Sequence, residues 1–198
     1  HKMEGAGNDY VYLDHRSERP IIPDAALARR LSDRRYGIGA DGLVELLPAT
    51  TADCRMEMWN SDGSRSAMCG NALRCVAFLL HRDNARNAYR IETSSGQYEA
   101  WVEASGSSAA RVKVDMGPPL LEPARIPVLG DPENLTLNIA GQSFAGRAVG
   151  MGNPHFVIFL GSRSEVDAVD LETIGPLMQK NAAFPQSVNV EFVAVDTD

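Results

Sequence analysis

The stretches GAGNDYVYL (residues 5–13) and GMGNPHFVI (residues 150–158) both open Gly-x-Gly-Asn and both run into an apolar strand, 145 residues apart. Either two Gly-Asn turns coincide or the chain carries a duplicated lobe. Duplication makes a sharp demand. Whatever the first lobe places at residue 69 should recur near position 214, a number this 198-residue sequence does not reach.

Residue 69 is the cysteine of SAMCGNALRC (66–75). It stands at or just before the start of a helix read over Asn71–His81, with Leu73, Val76, Ala77 and Leu80 as its buried face. Unpaired N–H groups at a helix start carry partial positive charge, which favours a thiolate and can hold a carboxylate. Gly70 removes the side chain that would block close approach, and Asn71 supplies an amide that donates and accepts. These residues suit a reactive thiol beside an anion pocket. They also suit a small apolar cysteine packed in a helix cap. Cys75, among Arg74, Val76 and Ala77, and Cys54, at a strand start, read as packing residues.

The remaining composition narrows the classes. The chain is 44% apolar and 23% charged, with 17 glycines and 11 prolines, which suits one generous domain or two small ones built from short strands and turns. A net charge of −7 argues against a nucleic-acid or anionic-membrane partner. No apolar run is long enough to span a membrane, and the opening HKMEGAGNDY lacks an apolar signal core. Three unevenly spaced cysteines fit neither a disulfide framework nor a zinc site. A reducing, cytoplasmic location and no metal are expected.

Strands are predicted over 9–14, 43–47, 54–60, 89–93, 97–104 and 109–116, and helices over 23–33 and 71–81. YGIGADG (36–42) is a glycine-rich loop, SDGS (61–64) a turn, and Ser-Ser-Gly at 94–96 a hairpin signal. The proline-rich MGPPLLEPARIPV (116–128) marks a boundary, dividing the chain into 1–117 and 118–198. Beyond it come strands near 134–139, 143–149 and 155–160, one helix over about 164–175 and a strand at 188–195. Asn8, Asn60, Asn153 and His155 each adjoin a glycine-rich or turn-like stretch. Singly, each reads as a turn or surface residue. Together, the asparagines suit a small zwitterion with carboxylate and ammonium groups.

HKMEGAGNDYVYLD, YGIGADG, WNSDGSRSAMCGNALRC, GMGNPHFVIF and VNVEFV follow one another in the order and at about the spacing of diaminopimelate epimerases, and the resemblance spans essentially the whole chain. It implies an α+β fold of two pseudo-symmetric lobes, each a mixed β-sheet wrapped around a central helix, with the active site in the cleft between them. It implies an isomerase that uses neither pyridoxal phosphate nor metal and interconverts LL- and meso-2,6-diaminopimelate, on the route to lysine and peptidoglycan. Two cysteines, one from each lobe, would flank the α-carbon, one removing a proton as thiolate and the other delivering one as thiol. On this resemblance Cys69 matches the first-lobe catalytic cysteine, and His155 a histidine that tunes the thiol pair. Asn8, Asn60, Gly70, Asn71, Asn153 and Asn189 match substrate-binding positions. Gly42 falls where some relatives place a glutamine, so only a backbone contact carries over.

One departure matters. The family pattern continues past VNVEFV into a Glu-Arg pair and a Cys-Gly-Thr motif at a helix start, and neither occurs here. The absent cysteine belongs about where the internal echo asks for it. The second lobe is therefore expected to be incomplete, and this chain alone to bind weakly and not to epimerise. The relatives' tendency to pair leaves a homodimer open. Proline racemases and phenazine-pathway isomerases share the broad fold, but the MCGN context and the run of asparagines favour diaminopimelate. Two other readings use only residues present: a cysteine hydrolase or acyltransferase with Cys69 as nucleophile, His155 as base and Asn153 as orienter, or a non-catalytic fragment.

Overall fold

The computed structural model describes residues 1–17 and 22–195. Packing divides the chain into two compact units, His1–Met116 and Gly117–Asp198.

The first unit contains β1 (Lys2–Gly5), β2 (Asn8–Asp14), α1 (Ala25–Ser32), β3 (Gly42–Leu47), β4 (Cys54–Asn60), β5 (Arg65–Ser66), α2 (Gly70–Asn84), β6 (Ala88–Thr93), β7 (Gly96–Ser105) and β8 (Ala110–Asp115). One mixed sheet runs β1-β2-β3-β4-β6-β7-β8, with β5 paired to β4. The pairs β2–β3 and β4–β6 are parallel and the others antiparallel.

This sheet curls around α2, which touches β1, β2, β6, β7 and β8. The helix sequence explains why. Beyond the predicted stripe of Leu73, Val76, Ala77 and Leu80, it also buries Ala72, Cys75, Phe78 and Leu79. A helix apolar on nearly every side is stable only when enclosed. It ends at Ala85, whose left-handed backbone (φ 56°) lets its N–H reach His81 O at 2.8 Å.

The near-continuous apolar run of β3 has a related cause, because both of its faces are covered. Val44 and Leu46 join the α2 core, while Leu43 joins Val11, Ala28, Ala40 and Trp59 beneath α1. Helix α1 opens on Asp24, whose carboxylate accepts from Leu27 N at 2.7 Å. Glu45, buried in the middle of β3, accepts from His15 Nδ1 at 2.8 Å, which meets the requirement that a buried acid be paired.

The second unit contains a short 3₁₀ turn (Pro123–Arg125), β9 (Leu135–Ile139), β10 (Gln142–Gly150), β11 (Pro154–Leu160), α3 (Arg163–Asp167), α4 (Leu171–Gln179) and β12 (Asn189–Ala194). Its sheet order is β12-β11-β10-β9, with β11–β12 parallel. The tight β9–β10 turn uses positive φ at both Ala140 (49°) and Gly141 (80°), which matches the right-handed twist of the flanking strands. One sheet face, with Leu137, Ile139, Phe156 and Ile158, packs with Ile174 and Met178 of α4 and with Phe184 and Val188. The alternate face is more open, and Phe159 there is 60% exposed.

One expectation is corrected here. The single helix over 164–175 is two helices, because Asp170 accepts from Thr173 N at 3.2 Å and begins a new helix after Ala168 ends the first. The second unit, expected to be an incomplete lobe, has its sheet but encloses no helix among the described residues. Helix α4 buries only Ile174 and Met178, so it lies against the sheet and is not enclosed by it. Among the described residues, no helix is long and apolar enough to cross a membrane.

The two Gly-x-Gly-Asn stretches have matching places in their units. Each is the turn of an antiparallel hairpin, β1–β2 in one and β10–β11 in the other. In each, the second strand of the hairpin then pairs in parallel with a later strand, β3 or β12. Counted from the first glycine, Tyr10 and His155 are equivalent, and their parallel partners are Gly42 and Asn189.

Leu73 is wholly buried at the centre of the α2 core. Leu73→Ala should cost about 2–5 kcal/mol, read as a lower urea midpoint with an unchanged slope.

Candidate active site

Cys69 is the N-cap of α2, extended (φ −145°, ψ 120°), and its side chain makes no cap hydrogen bond. A serine or aspartate there would turn back onto the first-turn N–H groups. The thiol leaves them available to an anion, and the helix dipole adds to their pull. Cys69 is half-buried, whereas Cys54 and Cys75 are buried. Burial pushes the Cys54 thiol up to about 12 and raises that of Cys75 as well.

Close backbone approaches fix the start of α2. A Cβ on Gly5 would come within 2.8 Å of Asn71 O, and one on Gly70 within 3.2 Å of Met116 Sδ. Glycine at both positions lets β1 and the end of the unit pack against the first turn.

Around that turn the amides form a directed chain. Arg34 Nη2 donates to Asp41 Oδ1 at 2.9 Å, and Asn8 Nδ2 donates to Asp41 Oδ2 at 3.3 Å. Asn71 Nδ2 donates to Asn8 Oδ1 at 2.6 Å, and Arg74 Nη2 donates to Asn71 Oδ1 at 2.7 Å. Asp9 braces the same corner: Arg34 donates to it twice, at 2.7 and 3.1 Å, and Lys2 Nζ lies 2.8 Å away. From β2, the Tyr10 hydroxyl donates to Cys69 Sγ at 3.7 Å.

Thus Asn8, Cys69, Gly70 and Asn71 come together. Gly42 and Asn60 lie in register at the same end of the sheet, next to Tyr10. Gly42 is buried, and a Cβ on it would collide with the Trp59 carbonyl oxygen. Asn60 is exposed, and its Nδ2 donates to Ser64 Oγ at 2.9 Å.

In the second unit, His155 Nδ1 donates to Glu191 Oε1 at 2.6 Å, while its Nε2 lies 2.9 Å from Asn153 Oδ1. Asn189 is the parallel register partner of His155.

Sequence reasoning does not single out Tyr10, Asp41 or Glu191. Signals for each were available. Glu191 is two residues beyond Asn189 on one strand and so shares its face. Tyr10 occupies the echo position of His155, and Asp41 belongs to the YGIGADG loop already marked as irregular.

Comparisons with known proteins identify the family of the chain. The family model for diaminopimelate epimerase matches residues 1–122. A diaminopimelate epimerase of Desulfitobacterium hafniense is 41% identical across 99% of this chain and 71% of its own length. One from Carboxydothermus hydrogenoformans is 44% identical across 98% of this chain and 70% of its own length. Among solved structures, a phenazine biosynthesis protein of the PhzF family from Bacillus anthracis superposes with a TM-score of 0.58 at 12% identity, over 100% of this chain and 67% of that one. A protein described as a predicted epimerase from Pseudomonas aeruginosa gives 0.57 at 17% identity, over 94% of this chain and 64% of that one. At such identities the structural likeness speaks for the fold alone.

The sequence relatives define an enzyme of the isomerase class. Within it, the chain belongs to the diaminopimelate epimerase family.

The Arg34 hydrogen bonds, then the Lys2 contact, hold the Asp9 carboxyl well below its ordinary range. A depressed carboxyl stabilises the fold above its unfolded value of about 3.9, and that contribution is lost as pH falls further. Thermal unfolding followed by circular dichroism should therefore fall between about pH 5 and pH 2 more steeply than in Asp9→Asn. High salt should shrink the difference, because Arg34, the main partner of Asp9, is exposed.

Proposed function

We propose that this chain carries the first half of the machinery of a cofactor-independent epimerase that interconverts LL- and meso-2,6-diaminopimelate. The observation that carries the reading is Cys69 at an uncapped helix start, held beside the hydrogen-bonded amides of Asn8 and Asn71. Family membership supports the substrate.

The chemistry explains the arrangement. An amino-acid α-hydrogen is a very weak acid, because the carbanion forms beside a carboxylate that is already negative. With no cofactor as electron sink, fixed dipoles must stabilise that charge. In this reading the α2 N–H groups, with Gly70 leaving them open, bind the reacting carboxylate. Asn8, Asn60 and Asn71 bind the polar groups around it, Gly42 contributes backbone only, and Asn153 and Asn189 serve the substrate from residues 118–198. Water must be kept from the anion.

Cys69 as thiolate takes the α-proton, breaking the C–H bond and forming S–H, and the electron pair stays on the substrate. Inversion then requires a second proton carrier on the opposite face, since one group acting alone would return the proton to the side it left. The second thiol that the family pattern calls for is not one of this chain's remaining cysteines, because Cys54 and Cys75 are both buried in the first unit's core. His155, fixed between Glu191 and Asn153, tunes the thiol pair.

In the intact protein, Cys69→Ala should abolish solvent-deuterium incorporation at the substrate α-carbon, whereas Cys75→Ala should retain it and lose stability. Exchange surviving in Cys69→Ala, or an acyl adduct on Cys69 during turnover of an ester or amide, would reject the reading. His155→Ala should lower kcat more than it raises KM, and a pure rise in KM would remove its tuning role.

A further inference from the structure

We infer that Tyr10, at the position in the first unit equivalent to His155 in the second, is the positioning residue of Cys69. The inference rests on the reading of Cys69 as a proton carrier and adds to it the group that directs the sulfur.

Three observations converge. The first is contact. Tyr10 is 6% exposed, a buried hydroxyl needs an acceptor, and its hydrogen bond runs to Cys69 Sγ at 3.7 Å. The second is topology. Tyr10 and His155 fall at the same step of the two Gly-x-Gly-Asn hairpins, and each sits beside the first residue of the parallel strand that follows, Gly42 or Asn189. The third is directional chemistry. A phenol can donate to a sulfur lone pair, and it does so far more strongly when the sulfur is an anion. When Cys69 is a thiolate, Tyr10 supports the charge. When Cys69 is a thiol, Tyr10 occupies a lone pair, and the S–H must point elsewhere.

The surroundings keep Tyr10 a donor. Burial first, then the neighbouring Cys69, hold its phenol well above the ordinary value, so the proton stays on oxygen at neutral pH. Tyr10 and Tyr12 on β2 and Cys75 on α2 are ionisable groups that feel the Cys69 sulfur. Asp9 and Asp41 act on Tyr10 and also favour its neutral form.

The test is iodoacetamide alkylation of the intact protein across pH, with the label assigned to Cys69 by peptide mass spectrometry. Tyr10→Phe removes one oxygen and keeps the ring. It should move the Cys69 profile up by about one pH unit, slowing labelling near neutrality about tenfold, with the alkaline limiting rate unchanged. A superimposable profile, or a change in the limiting rate alone, would overturn the assignment, because the phenol would then only fill space or limit access. Should Tyr10→Phe fail to fold, 3-fluorotyrosine at position 10 makes the hydroxyl a stronger donor and should move the profile down; an unmoved profile again overturns the inference. Labelling needs no turnover. A shifted profile together with exchange surviving in Cys69→Ala would retain the Tyr10 contact and discard the epimerase reading, and the converse pair of results would do the opposite.

Discussion

The enclosure of α2 constrains everything else in the first unit. A helix that buries eight of its 15 residues inside a curled sheet has no freedom to slide or rotate. Its first turn must emerge where β1 and β2 meet. Gly5 lets β1 lie against the Asn71 carbonyl, where a methyl group would not fit. In the proposed reading the Cys69 sulfur needs a fixed position, and its place is set by core packing several residues away. Catalytic geometry on a rigid element can be held to fractions of an ångström, whereas a loop would leave it adrift.

The two hairpin turns show how one local device can serve two different side chains. In both units, glycine-permitted backbone turns a strand back on itself and starts the next strand at an asparagine or its neighbour: Gly7 has φ 89° and Gly152 has φ 98°. The strand that follows then offers its second or third residue beside a parallel neighbour. In one case that residue is a phenol facing a thiol, and in the other an imidazole held between a carboxylate and an amide. The scaffold repeats, and the chemistry differs at one position in each copy.

This division also explains what the sequence made legible. Helix α2, the strands β2, β6, β7 and β8 around it and Cys69 as its N-cap follow from spacing and residue type, because apolar periodicity and the Cys-Gly-Asn step are local signals, whereas the short β1 gives no such signal. Tyr10 is invisible to such reasoning, since a tyrosine in an alternating strand looks like core; only its contact 59 positions along the chain reveals the hydroxyl's use. Asp41 escapes such reasoning because its partners, Asn8 and Arg34, lie on other segments. The break between α3 and α4 is hidden for a different reason. The apolar pattern runs through it, and a single aspartate side chain resets the helix.

The directed amide chain carries the argument one step further. An asparagine amide can turn over and exchange its donor for its acceptor, so a site made of free asparagines has no defined polarity. Here both ends of the chain are committed. Asp41, paired with Arg34, can only accept from Asn8, and Arg74 can only donate to Asn71. Between these ends, Asn8 must present its oxygen to Asn71 and its nitrogen to Asp41, and Asn71 follows in the same sense. Neither amide can reverse without setting like groups against each other at two contacts. The dipoles beside the α2 N-terminus are thereby oriented before any ligand arrives. Preorganised dipoles stabilise a developing charge at no reorganisation cost during the reaction, which mobile ones cannot do. Asp41 and Arg74 therefore belong to the site as much as the residues between them, though neither needs to touch a substrate.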